Sequence, residues 1–592
     1  MDNLEERARR WGVETGYHDI FGQWRAASPH ALERLTAALT GEGQILPISG
    51  AAVSSDPVRA FQGDGNCCWM PAVQLYAVRS RRNWGHGDFS DLANLLTLAA
   101  QFGAAGVGLN PLHSLFPERA EEASPYAPNS RLFLNPLYID VDAIPEFPGV
   151  AAAGLADEIV AARASDIVSY ARVARAKLIG IRIAYDRFRA SASHERRGDF
   201  EAYRDRQGDA LLRFACFESL RRQYAPASWP EWPEVWRAAS LTDLHKFRAA
   251  NSCECEFVEF AQWIADRQLR VCRETARKSQ MPIGLYVDLA VGVHPHGADA
   301  WGQQDMFVPD TSIGAPPDEF NPAGQDWGLA PFNPHALAAN NFRPIREMLR
   351  ETMQYAGAIR LDHVLGLNRI YMIPRGMDAA NGAYVRYPFE QLLTAVAEES
   401  NRCRCIVIGE DLGTVPDGFR ETLARWGLWT FRVMLFERQH DGSFRQPEAY
   451  PPEAVATFNT HDLPSFRGWL QDYDLRMKRA IGLDPGESDE ARAAARQALI
   501  AILAARVPDF APDEFSAVAA FLASTPSRLV TVSLEDVLGV TDQVNIPGTT
   551  TQHPNWARKL PVLLEELGQH QSWRTVAQAF AQSGRSINTA LS

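Results

Sequence analysis

Eight short apolar runs, mostly separated by helical stretches, constrain this chain more than any other feature. They cover residues 68–78, 106–112, 283–291, 358–364, 405–412, 429–436, 454–462 and 528–537. A continuous apolar run suits a strand buried on both faces, and helices between such strands make the sheet parallel. Eight of them close most simply into a barrel. The expected fold class is α/β: a (β/α)8 TIM barrel with inserted helical subdomains and a small N-terminal helical module. One connecting helix is legible in detail. Over 346–355 Leu349 and Met353, with Ala356 beyond, share a face, and Gly357 stops the helix just before the fourth run.

The same reading divides the chain. Residues 1–65 form the N-terminal module, where Ser28 caps and Pro29 opens a helix carrying Leu32, Leu35 and Leu39. Residues 66–592 form the barrel. Its second and third runs are too far apart for one crossover, so 136–280, rich in Ala, Arg and Glu, is expected to be a mostly helical insertion. The Pro- and Gly-rich stretch 302–328 is too long for a passive connector and reads as a loop covering the active site.

Composition narrows the function. Among 592 residues, 59 basic and 72 acidic side chains give a net charge of −13, which argues against a nucleic-acid partner. A neutral polymer is compatible. The first ten residues lack the apolar core of a signal peptide, and no run nears the roughly 18 apolar residues of a spanning helix. A cytoplasmic enzyme without membrane contact is expected. None of the eight cysteines forms a C-x-x-C pair. Cys403 and Cys405 read as buried thiols, and Cys253 and Cys255 as poor candidates for a metal. Nothing points to a metal or an organic cofactor.

Three acidic motifs end apolar runs: Arg360-Leu361-Asp362-His363, Gly409-Glu410-Asp411-Leu412-Gly413 and Thr460-His461-Asp462. Strand alternation puts Arg360 and Asp362 on one face, and a neighbouring arginine favours the charged carboxylate that a nucleophile requires. Glu410 follows an apolar strand, which suits a raised pKa and proton donation. Asp462, beside His461, can accept hydrogen bonds from sugar hydroxyls. Each motif alone also fits a salt bridge or a helix cap. Together, 48 and 52 residues apart, they place acids after the fourth, fifth and seventh strands. Glycosidic-bond chemistry needs such a set at the carboxyl ends of barrel strands, with nucleophile and acid/base about 5–5.5 Å apart for a retaining reaction.

With these motifs, and with Tyr286-Val287-Asp288 ahead of His294, the chain resembles the α-amylase clan. More narrowly it resembles the 4-α-glucanotransferases (amylomaltases, or disproportionating enzymes) of glycoside hydrolase family 77. The supporting motifs include Gln74–Ser80 with Trp84–Phe89, Ser124-Pro125-Tyr126, Gly314–Asp318 with Gly324–Gly328, Asn545–Gly548 and Asn555-Trp556. The resemblance implies transfer of a segment of a 1,4-α-glucan to the 4-hydroxyl of glucose or of another glucan, by double displacement. It implies Asp362 as nucleophile, Glu410 as acid/base and Asp462 as donor-sugar ligand. Tyr76, Asp288, Arg360, His363 and His461 would complete the first shell, with Ser124, Tyr126, Asp318, Gln325 and Trp327 also binding substrate. Family members often carry tyrosine after Pro-Pro-Asp, where this chain has Glu319 and Phe320. Trp84, Trp301, Phe320 and Trp469, with Tyr126 and Trp327, are candidate sugar platforms. The competing readings are a hydrolase of the same clan and a non-catalytic glucan-binding protein. A nucleotide-sugar transferase is weaker, since no P-loop or G-x-G-x-x-G after a strand is present.

Overall fold

The computed structural model describes residues 4–19, 22–40, 57–119, 122–317 and 323–587. Each of the eight apolar runs contains a strand. They are Cys68–Val73, Gly106–Leu109, Gly284–Leu289, Ala358–Leu361, Ile406–Gly409, Thr430–Val433, Ala454–Thr457 and Leu529–Ser533. All neighbours pair in parallel, in the order five-four-three-two-one-eight-seven-six. A bridge between Ile408 and Trp429 joins strands five and six and closes the barrel. Helices surround it, as the (β/α)8 pattern requires.

Local chemistry explains where the strands stop. The helix after strand one, Phe89–Gln101, begins at Asp88 with a reciprocal capping box, Asp88 taking the Asp91 N–H and Asp91 taking that of Asp88. The helix before strand four is Arg343–Met353, ending two residues short of the 346–355 reading and beginning three earlier, with Pro344 in its first turn. The bottom of the barrel is sealed by the helix Gln571–Gln582, whose Phe580 stacks on Trp69 of strand one at 4.7 Å. Arg585 then donates to the carbonyls of Ala523, Thr525 and Ser527 below strand eight.

Between strands two and three lie the helices Ala156–Ala164, Tyr170–Ser191, His194–Tyr224, Leu241–Ala250 and Ser252–Lys278. The last of these packs on both His194–Tyr224 and the barrel helix Phe89–Gln101. It therefore serves at once as core of the insertion and as the crossover into strand three. Cys272 on this helix donates to the Phe89 carbonyl.

The described parts of the 302–328 stretch include regular strands. Thr311–Ala315 and Gln325–Leu329 pair antiparallel and extend, through Arg369–Pro374 and Ala383–Arg386, into a four-stranded sheet. The period-2 pattern of these strands is hidden by the prolines and glycines around them. The helices Leu4–Arg10 and Pro29–Thr40 pack together, and Glu14 links this N-terminal part to the sheet through Arg369 at 2.9 Å and Arg386 at 2.8 Å. Ser28 accepts the Ala31 N–H as the cap of Pro29–Thr40. Among the described residues no helix is long and apolar enough to cross a membrane.

Candidate active site

Arg360, in strand four, is the hub of the barrel mouth. It lies opposite Asp288 across strands three and four. Its Nη1 donates to both Asp288 oxygens at 2.9 and 2.8 Å and lies 3.0 Å from Asp362 Oδ1. Its Nη2 lies 3.8 Å from Glu410 Oε2. One guanidinium therefore meets three carboxyl groups. Two unit charges 4 Å apart interact by about 4 kcal/mol at an effective dielectric of 20, so these contacts weigh heavily on the charge of each group. Burial raises the Asp288 carboxyl above the ordinary aspartate range, against the pull of Arg360. Arg360 keeps its charge: burial opposes it, but Asp288 and Asp362 overcome burial.

Glu410 follows strand five directly. Its Oε2 accepts the His363 N–H at 3.0 Å and its Oε1 the Leu412 N–H at 2.8 Å. Burial nevertheless pushes its carboxyl up to about 7; Asp362 adds to the rise, while Arg360 and the two backbone donors oppose it. Two backbone features allow this arrangement. His363 sits in the left-handed region at φ 48°, which turns its N–H toward Glu410. Gly409 packs so closely on Val364 that an added Cβ would come within 2.8 Å of the Val364 side chain. Asp411, by contrast, is fully buried and structural: it accepts the Phe431 N–H at the start of strand six and pairs with Arg420.

His461 and Asp462 lie beyond strand seven. His461 Nε2 is 3.4 Å from Asp462 Oδ2, and Asn545 Nδ2 donates to Asp462 Oδ1 at 2.6 Å. Burial would raise the Asp462 carboxyl, yet His461 and the Asn545 amide hold it below the ordinary range. The same aspartate raises the His461 imidazole against the effect of burial. Tyr126 ties the two sides together, donating to Asp288 Oδ2 at 2.6 Å and lying 3.2 Å from His461 Nδ1. Its ring stacks on His461 at 4.6 Å and meets Trp556 at 5.4 Å.

The other expected site residues divide. Tyr76, in the turn after strand one, is buried near Tyr170. Ser124 Oγ accepts the Tyr126 N–H at 3.3 Å and so shapes that turn. Trp327, from the four-stranded sheet, meets His363 edge-on at 5.1 Å, and its indole N–H donates to Gln325 Oε1 at 3.3 Å. Asp318, Glu319 and Phe320 lie outside the described residues. Three aromatics named as sugar platforms are core instead. Trp84 is buried with its N–H on Asp142, Trp301 is buried with its N–H on the Trp236 carbonyl, and Trp469 packs against Phe458. Burial on helix and loop backs cannot be read from residue type. His294 does not meet Arg360; it packs edge-on against Phe116 and takes the His296 N–H. The cysteines are all free, and among the described residues no cluster of His, Cys, Asp and Glu is arranged to hold a metal. Sequence reasoning passed over Glu535, which lines the cleft beneath this hub together with Asp288, Arg360, Tyr126 and His461; the cleft has about 110 Å³ of free volume.

Residues 73–565 match the model of glycoside hydrolase family 77, the 4-alpha-glucanotransferases. The chain belongs to that family. It is 36% identical over 558 residues to the 4-alpha-glucanotransferase of Haemophilus influenzae, covering 88% of this chain and 79% of that one. It is 37% identical over 546 residues to that of Mycobacterium tuberculosis H37Rv, covering 87% and 75%. The crystal structure of amylomaltase from Corynebacterium glutamicum superposes with a TM-score of 0.83 at 27% identity, covering 98% of this chain and 99% of that one. The amylomaltase of Streptococcus agalactiae, at 18% identity and a TM-score of 0.73, shares the fold. The protein is thus an enzyme of the α-amylase clan that carries out transglycosylation of α-1,4-glucans with retention of configuration.

Proposed function

We propose that Asp362 is the nucleophile, Glu410 the acid/base and Asp462 the ligand of the donor sugar. The observation that carries this reading is the single Arg360 guanidinium shared by Asp362 and Glu410, with Glu410 pushed to about 7. Near neutral pH Glu410 then has a proton to give, and Asp362 has a cation beside it to favour its charge.

In the first step Asp362 attacks the anomeric carbon. The C1–O bond breaks, and Glu410 delivers its proton to the departing 4-oxygen of the reducing-end fragment. In the second step the Glu410 carboxylate takes the proton of an acceptor 4-hydroxyl. That oxygen attacks C1, and the bond to Asp362 breaks. Two inversions leave the α configuration intact. Asp462, held by His461 and Asn545, accepts hydrogen bonds from hydroxyls of the sugar being transferred. Trp327 offers a ring face to the glucan, Tyr76 backs the site from the turn after strand one, and Asp288 with Tyr126 fixes Arg360 between the two working carboxyls.

The substrates in this reading are maltooligosaccharides or other α-1,4-glucans as donors, with glucose or a second glucan as acceptor. The cytoplasm is the proposed location, supported by eight cysteines that are all free. Incubation with maltotriose is the test. A ladder of longer maltooligosaccharides with release of glucose is expected. Glucose and maltose without longer products would assign hydrolysis instead. Asp362→Asn should abolish the ladder, and a rate near that of the native enzyme would refute the nucleophile assignment.

A further inference from the structure

The pair Glu535-Asp536 at the end of strand eight repeats the pair Glu410-Asp411 at the end of strand five. Asp536 does structural work much as Asp411 does. It is buried and accepts the Phe466 N–H at 2.6 Å, the Ser533 hydroxyl at 2.7 Å and the Asn459 amide at 3.4 Å. Asp536 thereby ties strand eight to the loop after strand seven. With that task taken, Glu535 makes no ion pair or hydrogen bond to the side chain of another residue among the described residues. Its side chain lines the cleft shared with Asp288, Arg360 and His461. Burial raises its carboxyl to about 7, its own backbone N–H opposes the rise and the neighbouring Asp536 adds to it. Glu410, which follows strand five directly where Glu535 stands one residue further past strand eight, has Arg360 and two backbone donors.

The surroundings of Glu535 are short of partners as well. Gln543, which is 4% exposed and lines the same cleft, leaves its Oε1 without a hydrogen bond, and so does the hydroxyl of Tyr286 on the cleft wall. Tyr76, buried in the turn after strand one, lies close enough for Glu535 to raise its hydroxyl pKa, after burial and Tyr170. Buried polar groups without partners are costly, by about 1–3 kcal/mol each. The Gln543 and Tyr286 atoms are closed off from solvent, whereas Glu535 lines the cleft and is only half-buried, so its carboxyl is the one open to a glucan hydroxyl.

The side of the cleft follows from the strand order. Strand eight lies between strand one, which carries Tyr76, and strand seven, which leads to Asp462. Glu410 protonates the departing oxygen from strand five, so the leaving fragment lies on that side. We infer that Glu535 is a donor-binding residue that hydrogen-bonds a hydroxyl of the glucan on the non-reducing side of the bond being broken. The inference rests on the assignment of Glu410 given above.

Initial transfer rates with maltotriose as donor and glucose as acceptor test it, using Glu535→Ala and Glu535→Gln. The alanine variant should raise the donor KM about tenfold, as expected for one lost hydrogen bond of about 1.4 kcal/mol. Its kcat should stay within about threefold, its glucose KM within about twofold, and its Tm unchanged. Glutamine, which keeps a carbonyl acceptor, should restore most of the donor KM. An unchanged donor KM in the alanine variant overturns the inference. So does a shift in the glucose KM instead, a failure of glutamine to rescue, or a loss of kcat accompanied by a fall in Tm. An alanine variant that does not fold also overturns it, because a side chain without partners has no structural role to lose. Glu410→Gln in parallel separates the two readings. If that variant retains activity, the acid/base assignment fails, whatever Glu535 does.

Discussion

Two strand ends of the same barrel carry the same two residues and use the glutamate differently. At strand five Glu410 is held by two backbone donors and an arginine; at strand eight the donor acting on Glu535 is its own backbone N–H, and no arginine pairs with it among the described residues. Both carboxyls are raised to about 7, and in both burial is the main cause. What differs is orientation. A group that must deliver a proton to one oxygen has to be fixed to within a fraction of an ångström, and the fixing bonds supply that. A group that binds a sugar hydroxyl only needs an open valence. The two aspartates behave alike, since each ties its strand end to the next loop or strand and so spares its neighbouring glutamate from structural duty.

Substitutions at the four positions should separate these roles. The largest effect belongs to Glu410→Gln, which removes the transferable proton and keeps an acceptor for only one of the two backbone N–H groups. It should cut kcat by about 10²–10⁴-fold, measured as glucose release from maltotriose. Next comes the pH dependence. In the proposed mechanism the working form of Glu410 is protonated, so kcat/KM should fall about tenfold per pH unit above about 7. Glu535→Gln should keep that alkaline limb, and if it abolishes the limb the two glutamates have exchanged roles.

Smaller effects fall on stability. Asp411→Ala leaves the buried Phe431 N–H without a partner, and Asp536→Ala does the same to Phe466. Each should cost about 1–3 kcal/mol and lower Tm, whereas Glu535→Ala should leave Tm where it is. A linkage effect also bears on stability. A carboxyl whose pKa is raised by folding favours the folded state below about pH 4.5, and that contribution is lost as pH rises through about 7. Tm followed from pH 5 to pH 7 should therefore decline less in the double variant Glu410→Gln/Glu535→Gln than in the native protein.

Much of this was legible beforehand, and for an identifiable reason. A barrel strand is apolar on both faces, so all eight strands stand out as runs even in isolation. An acid placed at the end of such a run is conspicuous, which is how Asp362, Glu410 and Asp462 were found. Glu535 was passed over because Leu534-Glu535-Asp536-Val537 reads as the first turn of a helix, where acids are common for capping alone. Trp84, Trp301 and Trp469 were overrated for the converse reason. An indole serves a core and a sugar platform equally well, and only neighbours decide.

The order of apolar runs and acids along the chain determined the barrel, the family and the strand ends that bear the chemistry, because burial and periodicity are properties of short segments. Only the closed barrel decided that one arginine meets three carboxyl groups, that Tyr126 reaches from a distant loop to Asp288 and His461, and that Glu535 faces a cleft while Asp536 does not. Those outcomes depend on distances between residues far apart in sequence, and on which groups burial leaves without water.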